Sequence, residues 1–221
     1  GVQWKFDKTG RDSLKVGVYA NRFGEFITLR RSGLTRDSEG NGAAGSVTDC
    51  GDGTSRESAC SATILPEFRY QGVRARLAGF EIEATWRALD GPHALDLELK
   101  SDLTRADDRS HGEPLPRIAP LRLRGAAAWT HGPWAARVEF DHAARQSRVP
   151  ASDTVGATPA FTLWNAALTY RAGWGGNNAL LFVKATNIGD RLAYNASSID
   201  TIRALAPLPG RALKAGVQLT F

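Results

Sequence analysis

Apolar and polar side chains alternate along most of the chain, and this is the period of a β-strand that has one face in an apolar environment. The last ten residues show it most clearly, because every second side chain from Leu213 to Phe221 is apolar and the others are small or polar. The same period recurs in the segments SLKVGVYA, GFEIEATW, ALDLELKSDL, LRLRGAAAW and WAARVEFDHA, and more loosely in LWNAALTY and ALLFVKAT. With the opening GVQWKF, the pattern predicts about nine strands and no convincing helix.

The connections between these segments alternate in length. DKTGRD, LDGPHA, THGPWA and AGWGGNNA are short and rich in the Gly, Asp, Asn and Pro residues that tight hairpins need. The intervening connections are long and polar, around residues 31–66, 104–119, 149–160 and 188–209. This alternation predicts an antiparallel up-and-down sheet with one compact end and one elaborate end, as in outer-membrane barrels with short periplasmic turns and long external loops.

The apolar environment of the strands is either a lipid bilayer or the core of a soluble β-sandwich. Three features favour an all-β transmembrane barrel segment: charges in mid-strand, tryptophans near strand ends, and strands of about ten residues, longer than those of a usual sandwich. The mid-strand charges are Asp96, Glu98, Lys100, Arg137, Glu139 and Asp141, and the tryptophans are Trp4, Trp86, Trp129, Trp134, Trp164 and Trp174. A soluble lectin-like β-sandwich is the alternative.

Composition narrows the picture further. No window approaches the roughly 20 consecutive apolar residues of a membrane helix, although 42% of the residues are hydrophobic. The net charge is +5, but Lys and Arg are scattered among Asp and Glu, so a nucleic-acid partner is not expected. The chain lacks methionine and opens in strand-like alternation. We therefore expect a piece of a longer protein that starts within a strand.

The two cysteines, Cys50 and Cys60, lie in the polar segment SVTDCGDGTSRESACSA. A pair that closes a small polar loop is typical of an oxidising compartment, so a disulfide is predicted. A metal pair is disfavoured because the segment has neither a CxxC spacing nor a nearby histidine. Two unpaired surface thiols are the alternative.

No catalytic constellation is present, and an enzyme is not expected. The four histidines are dispersed over turns, a loop and a strand, and Ser, His and Asp occur without a nucleophile motif. The one cluster with ligand character is TRADDRSHGEPLP, in which Asp107, Asp108, His111 and Glu113 are candidate ligand-binding residues. Carboxylates with an imidazole can bind zinc, but such a stretch is more often a solvated loop, and no particular metal is indicated.

The C-terminal residues ALLFVKATNIGDRLAYNASS and IRALAPLPGRALKAGVQLTF resemble the closing hairpin of TonB-dependent outer-membrane receptors. Asn187-Ile188-Gly189-Asp190 corresponds to that family's Asn-Leu-Phe-Asp-like motif, with Gly189 where an aromatic residue is frequent, and Pro209-Gly210-Arg211 precedes a final strand ending in Phe. The segments VYANRFGEFITLRR, FRYQGVRARLAGFEIEATW and PLPRIAPLRLRGAAAW also resemble receptor barrel segments, the last of them those of the zinc- and haem-uptake branch.

This resemblance implies a barrel of about 22 strands that is closed by a plug. Residues 1–221 would form its C-terminal part, with the N-terminal plug and earlier strands absent. Val217, Leu219 and Phe221 resemble the signal that the barrel-assembly machinery reads.

The function implied by the resemblance is active uptake of a scarce nutrient across a Gram-negative outer membrane. The cargo would be a metal, haem or a metal chelate, such as zinc, haem or a ferric siderophore, and no cofactor would be bound permanently. The partners would be outer-membrane lipid, TonB through the missing N-terminal region, and the barrel-assembly machinery. The alternatives are a passive porin-like barrel and, less favoured, a soluble β-sandwich that binds a ligand.

Overall fold

The computed structural model describes residues 1–6, 11–36, 65–174 and 177–220. Cys50, Cys60 and Phe221 lie outside the described residues, so the disulfide and the last residue of the assembly signal stay predictions. No helix in the described part is long and apolar enough to cross a membrane. The strands of this part are β1 Val2–Lys5, β2 Ser13–Arg36, β3 Leu65–Leu89, β4 His93–Asp108, β5 Glu113–Pro114, β6 Arg122–His131, β7 Trp134–Ala143, β8 Phe161–Trp174, β9 Asn177–Thr186 and β10 Ala212–Thr220.

These strands form one antiparallel sheet in which nearly every strand pairs with its neighbours in sequence. The order is β1-β2-β3-β4-β6-β7-β8-β9-β10, and the short β5 pairs with the C-terminal end of β4. The predicted up-and-down topology is confirmed. The soluble β-sandwich alternative is wrong for the described residues, because all their strands lie in one sheet rather than in two packed sheets.

Two details differ from the sequence prediction. A single helical turn, Asp200–Arg203, lies between β9 and β10, and one turn is too short to show a helical period in the sequence. The strands β2, β3 and β4 also extend farther towards the long connections than predicted, so that 104–108 is strand rather than loop. The reason is that the inward-facing residues of this extension, such as Ala106, are buried under the next connection.

The pairing register brings the apolar rows of the separate strands onto one face of the sheet. One row of mutually paired positions crosses six strands and consists of Leu97, Ala127, Val138, Ala166, Ala185 and Leu213. Val138 and Leu213 on this row are 49% and 73% exposed. An apolar face of this extent is stable only against a lipid or protein partner. We call it the apolar face and the opposite side the polar face.

Aromatic side chains lie towards both ends of the apolar face. Trp134 of β7 contacts Tyr170 of β8 beside the tight β6–β7 turn, with 4.6 Å between ring centroids. Trp164 contacts Phe140 nearer the opposite end of the same strands, at 5.5 Å. Amphipathic rings in such positions are typical of the two interfaces of a membrane. We call the end of the sheet with the tight turns the turn end and the other the loop end.

Candidate functional site

Ion pairs across strands cover the middle of the polar face. Arg137 of β7 donates two hydrogen bonds of 2.9 Å to the two carboxylate oxygens of Glu98 on β4, reaching over the intervening strand β6. This reach is possible because β6 carries Ala126 and Ala128 on that face, which leave the space above the backbone open. Arg137 also donates to Glu139 at 3.1 Å. The pattern LRLRGAAAW therefore encodes both the apolar row and the gap that the arginine bridges.

Further pairs continue this network along the strands. They join Arg87 to Asp96, Arg122 to Asp102 and Arg124 to Asp141. The mid-strand charges therefore neutralise one another through cross-strand pairs. A sheet face of this kind is hydrated without carrying a large net charge.

A second polar cluster lies at the loop end, where Asp108 closes β4. Arg30 of β2 donates to Asp108 at 2.7 Å and to Glu113 of β5 at 2.6 Å. His111 Nδ1 is hydrogen-bonded to Asp108 at 2.8 Å, and the backbone N–H groups of Ser110 and His111 bind the other carboxylate oxygen. Only 1% of the Asp108 side chain is exposed. This cluster fastens the chain reversal after β4 to the sheet.

The four candidate ligand residues are thus only partly brought together. Asp108, His111 and Glu113 meet around Arg30, whereas Asp107 occupies the opposite face of β4 and forms an ion pair with Arg148. In the part of the chain that the structure describes, no three His, Cys, Asp or Glu side chains are grouped to hold a metal ion. The ligand role stays a prediction, and the contacts observed are those of a structural cluster.

The connections at the loop end are joined to one another. Arg203, in the helical turn before β10, forms an ion pair with Asp153 and donates to the Thr158 hydroxyl at 3.1 Å, both in the β7–β8 connection. Its side chain is 2% exposed. Gln146 donates to the Ile118 carbonyl at 2.8 Å, which links the β4–β6 connection to the same structure. The three connections therefore form one packed cap, which we call the loop cap.

Asn187 fixes the base of the loop cap where β9 ends. Its side-chain oxygen accepts the Arg191 N–H at 2.8 Å, and its amide nitrogen donates to the carbonyls of Arg191 and Pro209 at 3.0 and 3.1 Å. Its φ is 46°, a left-handed conformation that asparagine tolerates better than most residues. Asn187 and the Pro209 segment are thus in direct contact. This contact explains why the chain carries both motifs, although about twenty residues separate them.

Comparison with known proteins shows which family has this architecture. A family model described as "TonB dependent receptor-like, beta-barrel" matches residues 1–188. The chain belongs to this family of TonB-dependent receptors. The apolar face of the receptor chain is accordingly its lipid-facing side, and the polar face is turned to the barrel interior.

A solved structure agrees with this assignment. The chain is similar to the copper transporter OprC, with a TM-score of 0.66 and 18% sequence identity over 94% of the chain. It spans 28% of the length of that protein. No curated protein sequence matches. The matched family consists of receptors, and the structural neighbour is a transporter. Membership in the zinc- and haem-uptake branch stays a prediction.

The loop-end cluster of the receptor lies outside the membrane, because β4 has 16 residues and a tilted membrane strand needs about 9–11. Burial alone would raise the pKa of the Asp108 carboxyl. The hydrogen bonds from the His111 ring and from the Ser110 and His111 N–H groups outweigh burial, so its pKa is lower than usual. The sequence pattern indicated Asp108 as a candidate residue but gave no sign of Arg30. The residues around Arg30 in β2 do not indicate that its side chain reaches Asp108.

This shift predicts an acid dependence of stability. Since the pKa of Asp108 is lower in the folded than in the unfolded state, its ionised form stabilises the fold at and above about pH 4. That contribution is lost as the pH falls through the lower folded-state pKa. We expect the unfolding midpoint of the receptor to fall between pH 5 and pH 2.5, and Asp108→Asn to be less stable at pH 5 but to lose less on acidification. An equal fall of the unfolding midpoint in the receptor and in Asp108→Asn would show that Asp108 does not cause the acid dependence.

Proposed function

We propose that this chain forms the C-terminal part of the wall of a receptor that imports a scarce nutrient across the outer membrane, with energy supplied through TonB. The observation that carries the proposal is the family match over residues 1–188, joined to a sheet with one lipid-facing and one charged, interior face. The proposed partners are outer-membrane lipid, TonB through another part of the receptor, and the barrel-assembly machinery. Val217, Leu219 and Phe221 would form the assembly signal.

The contacts of the interior face support a fixed wall rather than a moving one. Arg137, Glu98 and Glu139 are tied together across three strands, and the loop cap joins the outer connections through Arg203 and Asp153. Charge-assisted hydrogen bonds of this kind hold their groups in one arrangement. Opening of a path for the cargo would then require movement of another part of the receptor, such as a plug, within this wall.

The cargo is proposed to be a metal, haem or a metal chelate. Zinc and haem follow from the resemblance of the segment PLPRIAPLRLRGAAAW, and ferric siderophores from the resemblance to the receptor family as a whole. Copper is added because the structural neighbour is named a copper transporter. The two proteins are 18% identical over the aligned region, so the likeness supports the fold and makes copper a cargo to be tested beside the others.

A passive porin-like barrel is the second candidate, and one experiment separates the two. The receptor that carries this chain is expressed in an outer membrane, and uptake of labelled copper, zinc, haem and a ferric siderophore is measured with and without TonB. We expect concentrative uptake of one cargo that is lost without TonB. Uptake that equilibrates and is indifferent to TonB would replace the proposal with passive diffusion.

A further inference from the structure

Arginines gather at one place on the outside of the sheet. Arg22 of β2, Arg74 and Arg76 of β3, and Arg109 just after β4 line a cavity of about 440 Å³ together with Phe23, Gly24 and Ala75. All four arginine side chains are exposed. We call these four residues the arginine patch. Four guanidinium groups around one cavity supply about twenty N–H donors with no acceptor, which is an arrangement suited to a multiply charged oxyanion.

The arginine patch differs from the strand arginines of the interior face in having no acidic partner. Arg87, Arg122, Arg124 and Arg137 each form an ion pair with a carboxylate. Within the residues that the structure describes, no carboxylate lies within ion-pair distance of Arg22, Arg74, Arg76 or Arg109. Their N–H donors are therefore not engaged by a carboxylate of this part of the chain, which leaves them available to an anionic ligand.

The strand register puts the patch directly above the lipid-facing band. Arg22 and Arg76 are paired across β2 and β3, and the next pair on the same face is Ala20 with Ala78, followed by Val18 with Phe80. At about 3.3 Å per residue, Phe80 lies about 13 Å below Arg76 along the strand. Val18 is 76% exposed. A molecule that bound both surfaces would have an anionic head and an apolar tail.

Two acidic side chains lie in the neighbourhood of the arginine patch. Asp107 faces Arg76 across β3 and β4, but its ion pair is with Arg148. Glu25, in the bulge of β2, lies against Gly72. The patch therefore retains an excess of positive charge.

We propose that the arginine patch binds the phosphate groups of a membrane lipid, whose acyl chains lie on Val18, Ala78 and Phe80. The loop end of a receptor barrel faces the outer leaflet, so the ligand is a phosphorylated glycolipid of that leaflet. Phosphate favours arginine because the guanidinium donates two parallel hydrogen bonds to its oxygens. The lipid would neutralise the patch and fasten β2, β3 and β4 to the membrane. This site is independent of the cargo and of TonB.

The test uses the full receptor that carries this chain, purified in detergent and stripped of lipid. Native mass spectrometry measures the binding of bis-phosphorylated lipid A, of dephosphorylated lipid A and of inorganic phosphate. We expect the receptor to bind the bis-phosphorylated lipid and the double variant Arg74→Gln/Arg76→Gln to bind it at least about tenfold more weakly, since charge-assisted hydrogen bonds to the phosphates are lost. Arg109→Gln, which changes one exposed residue outside the strands, is a second variant that leaves the sheet intact.

Arg171→Gln/Arg211→Gln is the matched control, because it removes two exposed arginines that lie outside the patch. We expect its lipid binding to equal that of the unchanged receptor. Equal binding of the dephosphorylated lipid, or an equal loss in the control, would overturn the proposal. Binding of inorganic phosphate with the same affinity as the lipid would assign the patch to a free anion instead.

Discussion

Replacement of Asn187 by glycine is expected to lower the free energy of unfolding of the receptor by about 3 kcal/mol. Glycine adopts the φ of 46° without strain, so the change isolates the side chain. Three hydrogen bonds are lost, and the groups left behind, the Arg191 N–H and two carbonyls, lie around a residue that is 3% exposed. A hydrogen bond contributes about 1 kcal/mol net, and a buried group without a partner costs more.

Asp190→Gly is the matched control for this prediction. Asp190 has a similar φ of 50° and its carboxylate accepts the Arg211 N–H at 2.9 Å, but it is exposed to solvent. We expect a loss of about 1 kcal/mol or less, because water replaces the lost acceptor. The measurement is the urea or heat midpoint of each purified receptor. Equal midpoints for the two variants would show that the backbone conformation, and not the Asn187 contacts, holds the closing hairpin.

Replacement of Arg203 by leucine is expected to open the loop cap. The change leaves the Asp153 carboxylate, whose side chain is 10% exposed, without its ion-pair partner, and a buried charge left alone costs about 3–5 kcal/mol. In an Asp153→Asn background the same change should cost about 2 kcal/mol less, because no charge is left behind. The amide oxygen of the substituted side chain can still accept the Val155 and Gly156 N–H groups that Asp153 Oδ1 accepts now.

Hydrogen exchange at 150–160 and 195–209 measures this effect, since the loop cap opens locally rather than with the whole barrel. Arg11→Leu provides the control, because its pair with Asp90 is exposed, at 48% and 71%, and such a pair contributes at most about 1 kcal/mol. If Arg203→Leu accelerated exchange equally in both backgrounds, Arg203 would act through packing and not through its pair with Asp153.

The sequence predicted most of the sheet because the strand pattern is repetitive. Each strand alternates with period two, each hairpin turn has its Gly, Asn, Asp or Pro, and the register then follows from the requirement that every apolar row lie on one face. The receptor family that the Asn187 and Pro209 motifs implied was confirmed by the family match, which covers residues 1–188. These features are local in sequence, so they can be recognised without a structure.

The contacts of the loop end could not be predicted in the same way. Arg30 and Asp108 are 78 residues apart in the chain, and Arg203 and Asp153 are 50 apart. Nothing in the neighbouring residues distinguishes these arginines from solvated ones. The segment TRADDRSHGEPLP was interpreted as a set of candidate ligands because its partner Arg30 was not visible, although the burial of Asp108 depends on that partner.

As a barrel wall, this sheet has an apolar face that touches lipid and a polar face that touches water. The most direct test places single cysteine-linked spin labels at Leu97 and Val138 and at the adjacent Glu98 and Glu139 of the full receptor in outer membranes. Contact with dissolved oxygen reports lipid, and contact with a water-soluble nickel chelate reports water. We expect oxygen contact at the first pair and chelate contact at the second. Equal contact with the chelate at all four positions would contradict a membrane-spanning wall.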